Sequence, residues 1–147
     1  MKITITRRIE WDAAHRVLRH ESKCSTLHGH RYVALITCTA EQLDRCDRVI
    51  DFGVVKDIIG RWVDENWDHT TILNAEDVEL LGLLRGEEVA DGKRAPYTIN
   101  GEPTAENIAR ELLVLSRKLL ELRSITDVEV VAVEVFETPN CSAKVTR

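Results

Sequence analysis

Residues 2–16 alternate in character, with Ile3, Ile5, Ile9, Trp11, Ala13 and His15 sharing one parity. Side chains on a strand leave on opposite faces at every second residue, so this stretch predicts a long strand with one half-buried face. His15 falls on the apolar side. A polar, basic stretch over 16–27 reads as a loop. Beyond it, His30, Tyr32, Ala34, Ile36 and Cys38 share one face of a second strand, and Val33 and Leu35 take the other. Two long strands joined this way predict an antiparallel pair. A sheet with one apolar face needs helices packed against it.

Two segments supply those helices. Val54, Val55, Ile58, Ile59, Trp62 and Val63 recur at helical spacing behind Asp51, a predicted N-cap, and this helix runs into Trp67-Asp68-His69. Pro103-Thr104 opens the second, with Thr104 as N-cap and Ile108, Leu112, Leu115, Leu119 and Leu122 facing inward. Between them, about 75–102 reads as an insert: a short apolar stretch (Val78, Leu80, Leu81, Leu83, Leu84), then turn-formers including Asn100-Gly101. In DVEVVAVEVFE, residues 127–137, Val131, Val133, Val135 and Glu137 share a face. The order ββ-α-(insert)-α-ββ predicts one α+β domain over 1–147, an antiparallel four-stranded sheet with two main helices on one face.

Composition narrows the function classes. No run of about 18 apolar residues exists to span a membrane, and the N-terminus lacks the apolar core of a signal peptide. A cytoplasmic protein is expected. Cysteines 24, 38, 46 and 141 form no C-x-x-C pair and read as free thiols. A net charge of −5 argues against general nucleic-acid binding. Residues 1–31 nevertheless carry seven Lys/Arg against three acids, which suits either an anionic small molecule or a solvated basic face.

The chemistry concentrates in Cys24-Ser-Thr-Leu-His28-Gly29-His30. Gly29 puts His28 and His30 on one strand face, and His15 shares the buried parity of the neighbouring strand. Three histidines with an open fourth position describe a catalytic zinc site. Taken alone, H-G-H is equally compatible with unrelated hydrogen-bonded histidines. Cys24 lies in a loop with Lys23 and Arg19, where a nearby cation favours the thiolate, while Cys38 and Cys46 read as inert. Asp68-His69 pairs a carboxylate with an imidazole, as proton transfer needs, or is an exposed pair at a helix end. Glu137 continues a valine face, so it must meet a partner or be protonated. It suits a planar N–H/NH₂ edge such as a pterin or guanine, or a salt bridge to Lys144.

His15 after W-D-A-A, the C-x3-H-G-H run, V-I-D-F at 49–52, W-D-H at 67–69, P-T-x-E-N at 103–107 and E-T at 137–138 form an ordered set. Together they resemble the 6-pyruvoyltetrahydropterin synthase family over most of the chain outside 75–102. The three-residue gap between Cys24 and H-G-H is similar to the bacterial 6-carboxytetrahydropterin synthase branch, which serves deazaguanine (queuosine) biosynthesis. The pyruvoyl-forming branch has a longer gap. The resemblance implies His15, His28 and His30 as Zn2+ ligands and Cys24 as catalytic base. Asp68 and His69 would complete the proton-transfer set, with Glu137 anchoring the pterin and Thr104 and Glu106 beside it. It also implies the tunnelling fold, in which sheets join into a β-barrel, trimers pair as a homo-hexamer, and pockets form between subunits. The implied substrate is 7,8-dihydroneopterin triphosphate, converted to 6-carboxytetrahydropterin, acetaldehyde and triphosphate. The alternatives are pyruvoyl formation by triphosphate elimination and a non-catalytic pterin- or purine-binding zinc protein. The chain departs from the family pattern at Trp67, where an aliphatic residue is usual, in its longer 75–102 segment, and at Cys141 near Glu137.

Overall fold

The computed structural model describes residues 1–85 and 94–147. The two long strands form as the alternation requires: β1, Thr4–His15, pairs antiparallel with β2, His28–Ala40, and the last rung sets His15 opposite His28. On β1, Ile9, Trp11, Ala13 and His15 are buried while Glu10, Asp12 and Ala14 are not. The first helical segment is α1, Phe52–Val55, then a π turn, Lys56–Gly60, then α2, Arg61–Asn66. Asp51 caps it by accepting from the Gly53 amide at 2.7 Å.

The sheet is larger than the expected four strands, and it is mixed. Its order is β4-β3-β1-β2-β5-β6, where β3 is Thr70–Asn74, β4 is Tyr97–Ile99, β5 is Val128–Thr138 and β6 is Cys141–Thr146. β3 runs parallel to both β1 and β4. These two strands escape a reading by periodicity for a physical reason. β3 buries residues on both faces, so it shows no alternation, and β4 has three residues. Within the segment read as an insert, α3, Val78–Arg85, turns Leu80 and Leu81 onto Leu73 of β3, while Val78 and Leu83 stay exposed.

α4, Ala105–Leu122, begins at the expected N-cap, with the Thr104 hydroxyl accepting from the Asn107 amide at 3.4 Å. Its buried stripe is Ala105, Ile108, Ala109, Leu112, Leu113, Ser116 and Leu120. Leu115 and Leu119 are only half-buried and Leu122 is exposed, so the inward face lies closer to the small residues than to the predicted leucines. One core joins both helical segments to the inner face of β1, β2 and β5. The expectation of helices on one face therefore stands.

β5 departs from strict alternation. Thr37 pairs with Ala132 but Cys38 with Val130, so Val131 is an extra residue in the ladder, a β-bulge. Val128 and Val130 are buried before it, and Val133 and Val135 after it. Val131 itself is half-buried and does not belong to the predicted inner face. A second irregularity, between Phe136 and Thr138, leaves Glu137 without a partner on β6. Trp67, the departure from the family pattern, is fully buried. Its ring lies 5.5 Å from that of Trp11, 5.4 Å from Trp62 and 5.7 Å from Tyr97, filling the core beneath β1.

Candidate active site

The three histidines meet at the end of the β1–β2 pair. His15 and His30 come from the buried parity of their strands, and His28 faces His15 across the last rung. Their ring centroids lie 4.6 to 5.2 Å apart. The tautomers follow from main-chain partners: His15 Nδ1 lies 2.7 Å from the Pro103 carbonyl and His28 Nδ1 2.6 Å from that of Thr26. A carbonyl only accepts, so each Nδ1 carries the proton and each Nε2 presents a lone pair.

Those two Nε2 atoms stand 3.1 Å apart. The Nε2 of His30 is buried with no hydrogen-bond partner, although the Glu137 Oε1 lies 3.0 Å away. The same Oε1 is 3.5 Å from His15 Nε2. The lone pairs of His15 and His28 thus converge beside the Glu137 carboxylate, an arrangement that a cation among them would stabilise. In a tetrahedral zinc site with Zn–N bonds near 2.0–2.1 Å, neighbouring ligand atoms sit about 3.4 Å apart. All four donors lie within 4.8 Å of one another. The residues present therefore fit such an ion. Burial, opposed by Glu137, holds the His30 imidazole below its usual range, which favours the neutral, ligating form.

Glu137 lies against the histidines, its Oε1 facing His15 and His30. Lys144 is not its partner; that residue pairs in register with Glu134. Tyr32, also buried, sets its ring edge-on to His15 and His30 at 5.8 and 5.7 Å and stacks on Trp11. Burial, reinforced by Glu137, pushes its hydroxyl well above the usual range.

Cys24 sits in a short 3-10 turn, Lys23–Ser25, half-buried, and its carbonyl accepts from the Val17 amide at 2.9 Å. That bond closes the 16–27 loop two residues beyond the histidine rung. The local basic excess is largely neutralised. Arg16 makes a bidentate pair with buried Asp77, Arg19 meets Glu76 and Glu102, and Arg31 meets Asp12. Lys23 has no ion pair among the described residues. Acids distant in sequence thus fold back onto Arg16 and Arg19.

Asp68 and His69 stand elsewhere. The Asp12 amide donates to Asp68 Oδ1 at 2.9 Å and the His69 amide to the Asp12 carbonyl at 2.7 Å, clasping the outer edge of β1. Asp12 precedes His15 by three residues, about 10 Å along a strand. His69 takes a left-handed backbone, φ 57°, which leaves its side chain 75% exposed with Nδ1 2.6 Å from Asp68 Oδ2. Burial resists ionisation of Asp68, but the Asp12 amide and the bond and charge of His69 prevail and keep its carboxyl below the usual range. Within one chain no hydrogen bond or ion pair among the described residues joins this pair to Cys24 or to the histidine cluster. Thr104 adjoins Pro103, whose carbonyl holds His15, and spends its hydroxyl on the helix cap. Glu106 is exposed in the first turn of α4 and meets none of the cluster. Main-chain acceptors at Thr26 and Pro103, and the carboxylate of Glu102, were not legible beforehand. A carbonyl has no sequence signature, and Glu102 shows only as an acid preceding Pro103-Thr104.

Comparison with known proteins places the chain in a family. Residues 4–147 match the family model described as 6-pyruvoyl tetrahydropterin synthase. A Rickettsia bellii protein named 6-carboxy-5,6,7,8-tetrahydropterin synthase is 43% identical, covering 97% of this chain and 99% of that one. A Halobacterium salinarum protein named as a probable synthase of the same kind is 35% identical over 93% of this chain and 82% of its own. Among solved structures, 6-pyruvoyl tetrahydropterin synthase from Plasmodium vivax superposes with a TM-score of 0.73 at 18% identity, covering 100% of this chain and 98% of that one, a likeness of fold. With family match, near-full-length relatives and fold in agreement, the chain belongs to the 6-pyruvoyl tetrahydropterin synthase family.

Proposed function

We propose that this protein is a zinc-dependent 6-carboxytetrahydropterin synthase that converts 7,8-dihydroneopterin triphosphate to 6-carboxy-5,6,7,8-tetrahydropterin, acetaldehyde and triphosphate. The observation that carries the reading is the convergence of the His15 and His28 Nε2 atoms at 3.1 Å, each with its Nδ1 committed to a main-chain carbonyl. The names of near-full-length relatives and the short Cys24-to-His28 gap favour the carboxy product over the pyruvoyl one.

In this reading His15, His28 and His30 hold the ion, which when bound polarises the hydroxyls of the substrate side chain and makes them more acidic. Cys24, as thiolate, takes the proton at the junction of pterin and side chain. Asp68 orients His69, which exchanges a proton with the side-chain oxygen. Glu137 turns its carboxylate to the ring N–H and exocyclic NH₂ of the pterin, with Thr104 and Glu106 flanking. No hydrogen bond or ion pair among the described residues joins Cys24 to the Asp68–His69 pair within one chain, so the reading takes a homo-oligomer, a hexamer, in which a second subunit completes the pocket. The sheet edges at β4 and β6 are the surfaces for that assembly.

The test is incubation of the purified, zinc-loaded protein with the triphosphate. Acetaldehyde and 6-carboxytetrahydropterin in equal amounts support the reading. Triphosphate release without acetaldehyde assigns pyruvoyl formation instead. Pterin binding without turnover reduces the protein to a binding module.

A further inference from the structure

Glu102 lies in the corner before α4, yet its side chain belongs to the β1–β2 loop. Its Oε2 accepts the Leu18 amide at 2.7 Å, and its Oε1 accepts from Asn74 Nδ2 at 3.1 Å and Arg19 Nη1 at 3.2 Å. Its own carbonyl accepts the Thr104 amide and Asn107 Nδ2, both at 2.8 Å, which ties its main chain to the first turn of α4. Gly101, at φ 95°, makes the turn that brings the residue round. All three partners of the carboxylate are donors. Only a group that accepts at both oxygens satisfies them, and Asn74 cannot reverse its amide without cost because its Oδ1 already accepts the Glu76 amide at 3.0 Å. A glutamine here would turn an NH₂ toward a donor.

What that carboxylate holds is the Cys24 loop. Leu18 follows Val17, whose amide donates to the Cys24 carbonyl at 2.9 Å and whose carbonyl accepts from His20 at 3.0 Å. Two hydrogen bonds, one residue apart, therefore run from Glu102 to the main chain of Cys24. The neighbouring Pro103 carbonyl meanwhile holds His15. One corner of the chain thus sets both the ring at the loop's start and the thiol at its tip.

We propose that Glu102 is a positioning residue, its acceptor-only carboxylate fixing the Leu18 amide and through it the placement of Cys24 in the β1–β2 loop. The proposal rests on the reading of Cys24 as the reactive thiol, but its test does not depend on turnover alone. In the full-length, zinc-loaded protein, Glu102→Gln is compared with wild type in two measurements. One is the rate of Cys24 alkylation by iodoacetamide, followed by peptide mass with the exposed Cys46 and Cys141 as internal references. The other is steady-state kinetics on the pterin triphosphate.

Zinc content should be unchanged and the Cys24 alkylation rate altered severalfold relative to Cys46 and Cys141. kcat should fall by about tenfold to a hundredfold with KM little moved, as for a misplaced reacting group. Glu76→Gln, which removes the other carboxylate on Arg19 and leaves the Leu18 bond intact, should behave as wild type. Unchanged Cys24 alkylation in Glu102→Gln overturns the proposal. So does altered alkylation with unchanged kcat, or an equal effect from Glu76→Gln. If Glu102→Gln does not fold, Glu102→Asp, too short to reach Leu18, must show the same change in alkylation or the proposal fails. A wild-type protein with no turnover would sink the proposed function, and the alkylation comparison would still judge Glu102.

Discussion

His15 and His69 are the same side chain in opposite settings. His15 is 1% exposed and hydrogen-bonded through Nδ1 to a main-chain carbonyl, whereas the His69 side chain is 75% exposed and its Nδ1 meets a carboxylate. A carbonyl sets ring orientation and tautomer without adding charge, which leaves Nε2 a neutral donor for a cation. A carboxylate stabilises the imidazolium and lets the ring take up and return a proton. In the proposed reading, this difference of Nδ1 partner goes with a difference of role, His15 holding an ion and His69 moving a proton.

The largest effect that could break this comparison is on metal. His28→Ala should lose more affinity for zinc than the about 10- to 100-fold that a lost outer partner costs, while His69→Ala keeps one zinc per chain by elemental analysis. Equal zinc in the two variants would erase the distinction. Turnover comes next: Cys24→Ala and His69→Ala should each retain zinc and substrate affinity but lose about 10²- to 10⁴-fold in single-turnover rate, the usual share of general acid–base catalysis. Near-wild-type rates in either would remove that residue from proton transfer.

Glu137 stands between the two classes, and Glu137→Gln sharpens where it belongs. As pterin anchor, its change should weaken pterin binding about ten- to a hundredfold by calorimetry, or about 1.5–3 kcal/mol. Unchanged affinity with altered zinc content would make it a member of the ion cluster alone.

The smallest effect is on acid stability. The Asp68 carboxyl is held low in the fold, so its contribution is present above an unfolded pKa of about 4 and fades as pH falls through the lower folded value. Asp68→Asn should lower the melting temperature by a few degrees at pH 7 and by nothing once the wild-type carboxyl is protonated. A constant difference down to pH 2 would mean that its charge adds no stability.

Much of this architecture was legible because β1 and β2 are long enough to show a period of two. That parity alone brought His15, His28 and His30 together. α4 was harder: its leucines lie on several sides, and the small Ala109 and Ser116 turn inward where the helix packs on the sheet, so residue identity misjudged the buried stripe. Asp68 and His69 were recognisable as a pair but not as a clasp on the Asp12 main chain, since the left-handed turn at His69 has no glycine to announce it. The acids that neutralise the arginines of the 16–31 segment come from up to 83 positions away, a separation that local charge counting cannot bridge.

The extra residue in β5 makes Glu137 a matter of counting. Upstream of Val131 the even-numbered valines face the helices, and downstream the odd-numbered ones do. Had the same residues, Val131 included, alternated without a bulge, Phe136 would point inward and Glu137 would face the uncovered side. A one-residue insertion between Val133 and Phe136 would therefore act on the histidine cluster at a distance, exchanging a carboxylate for a phenyl ring without altering any residue of the cluster itself, whereas deleting Val131 would heal the bulge and keep Glu137 inward. Length variation among relatives should accordingly be rare between Val133 and Glu137.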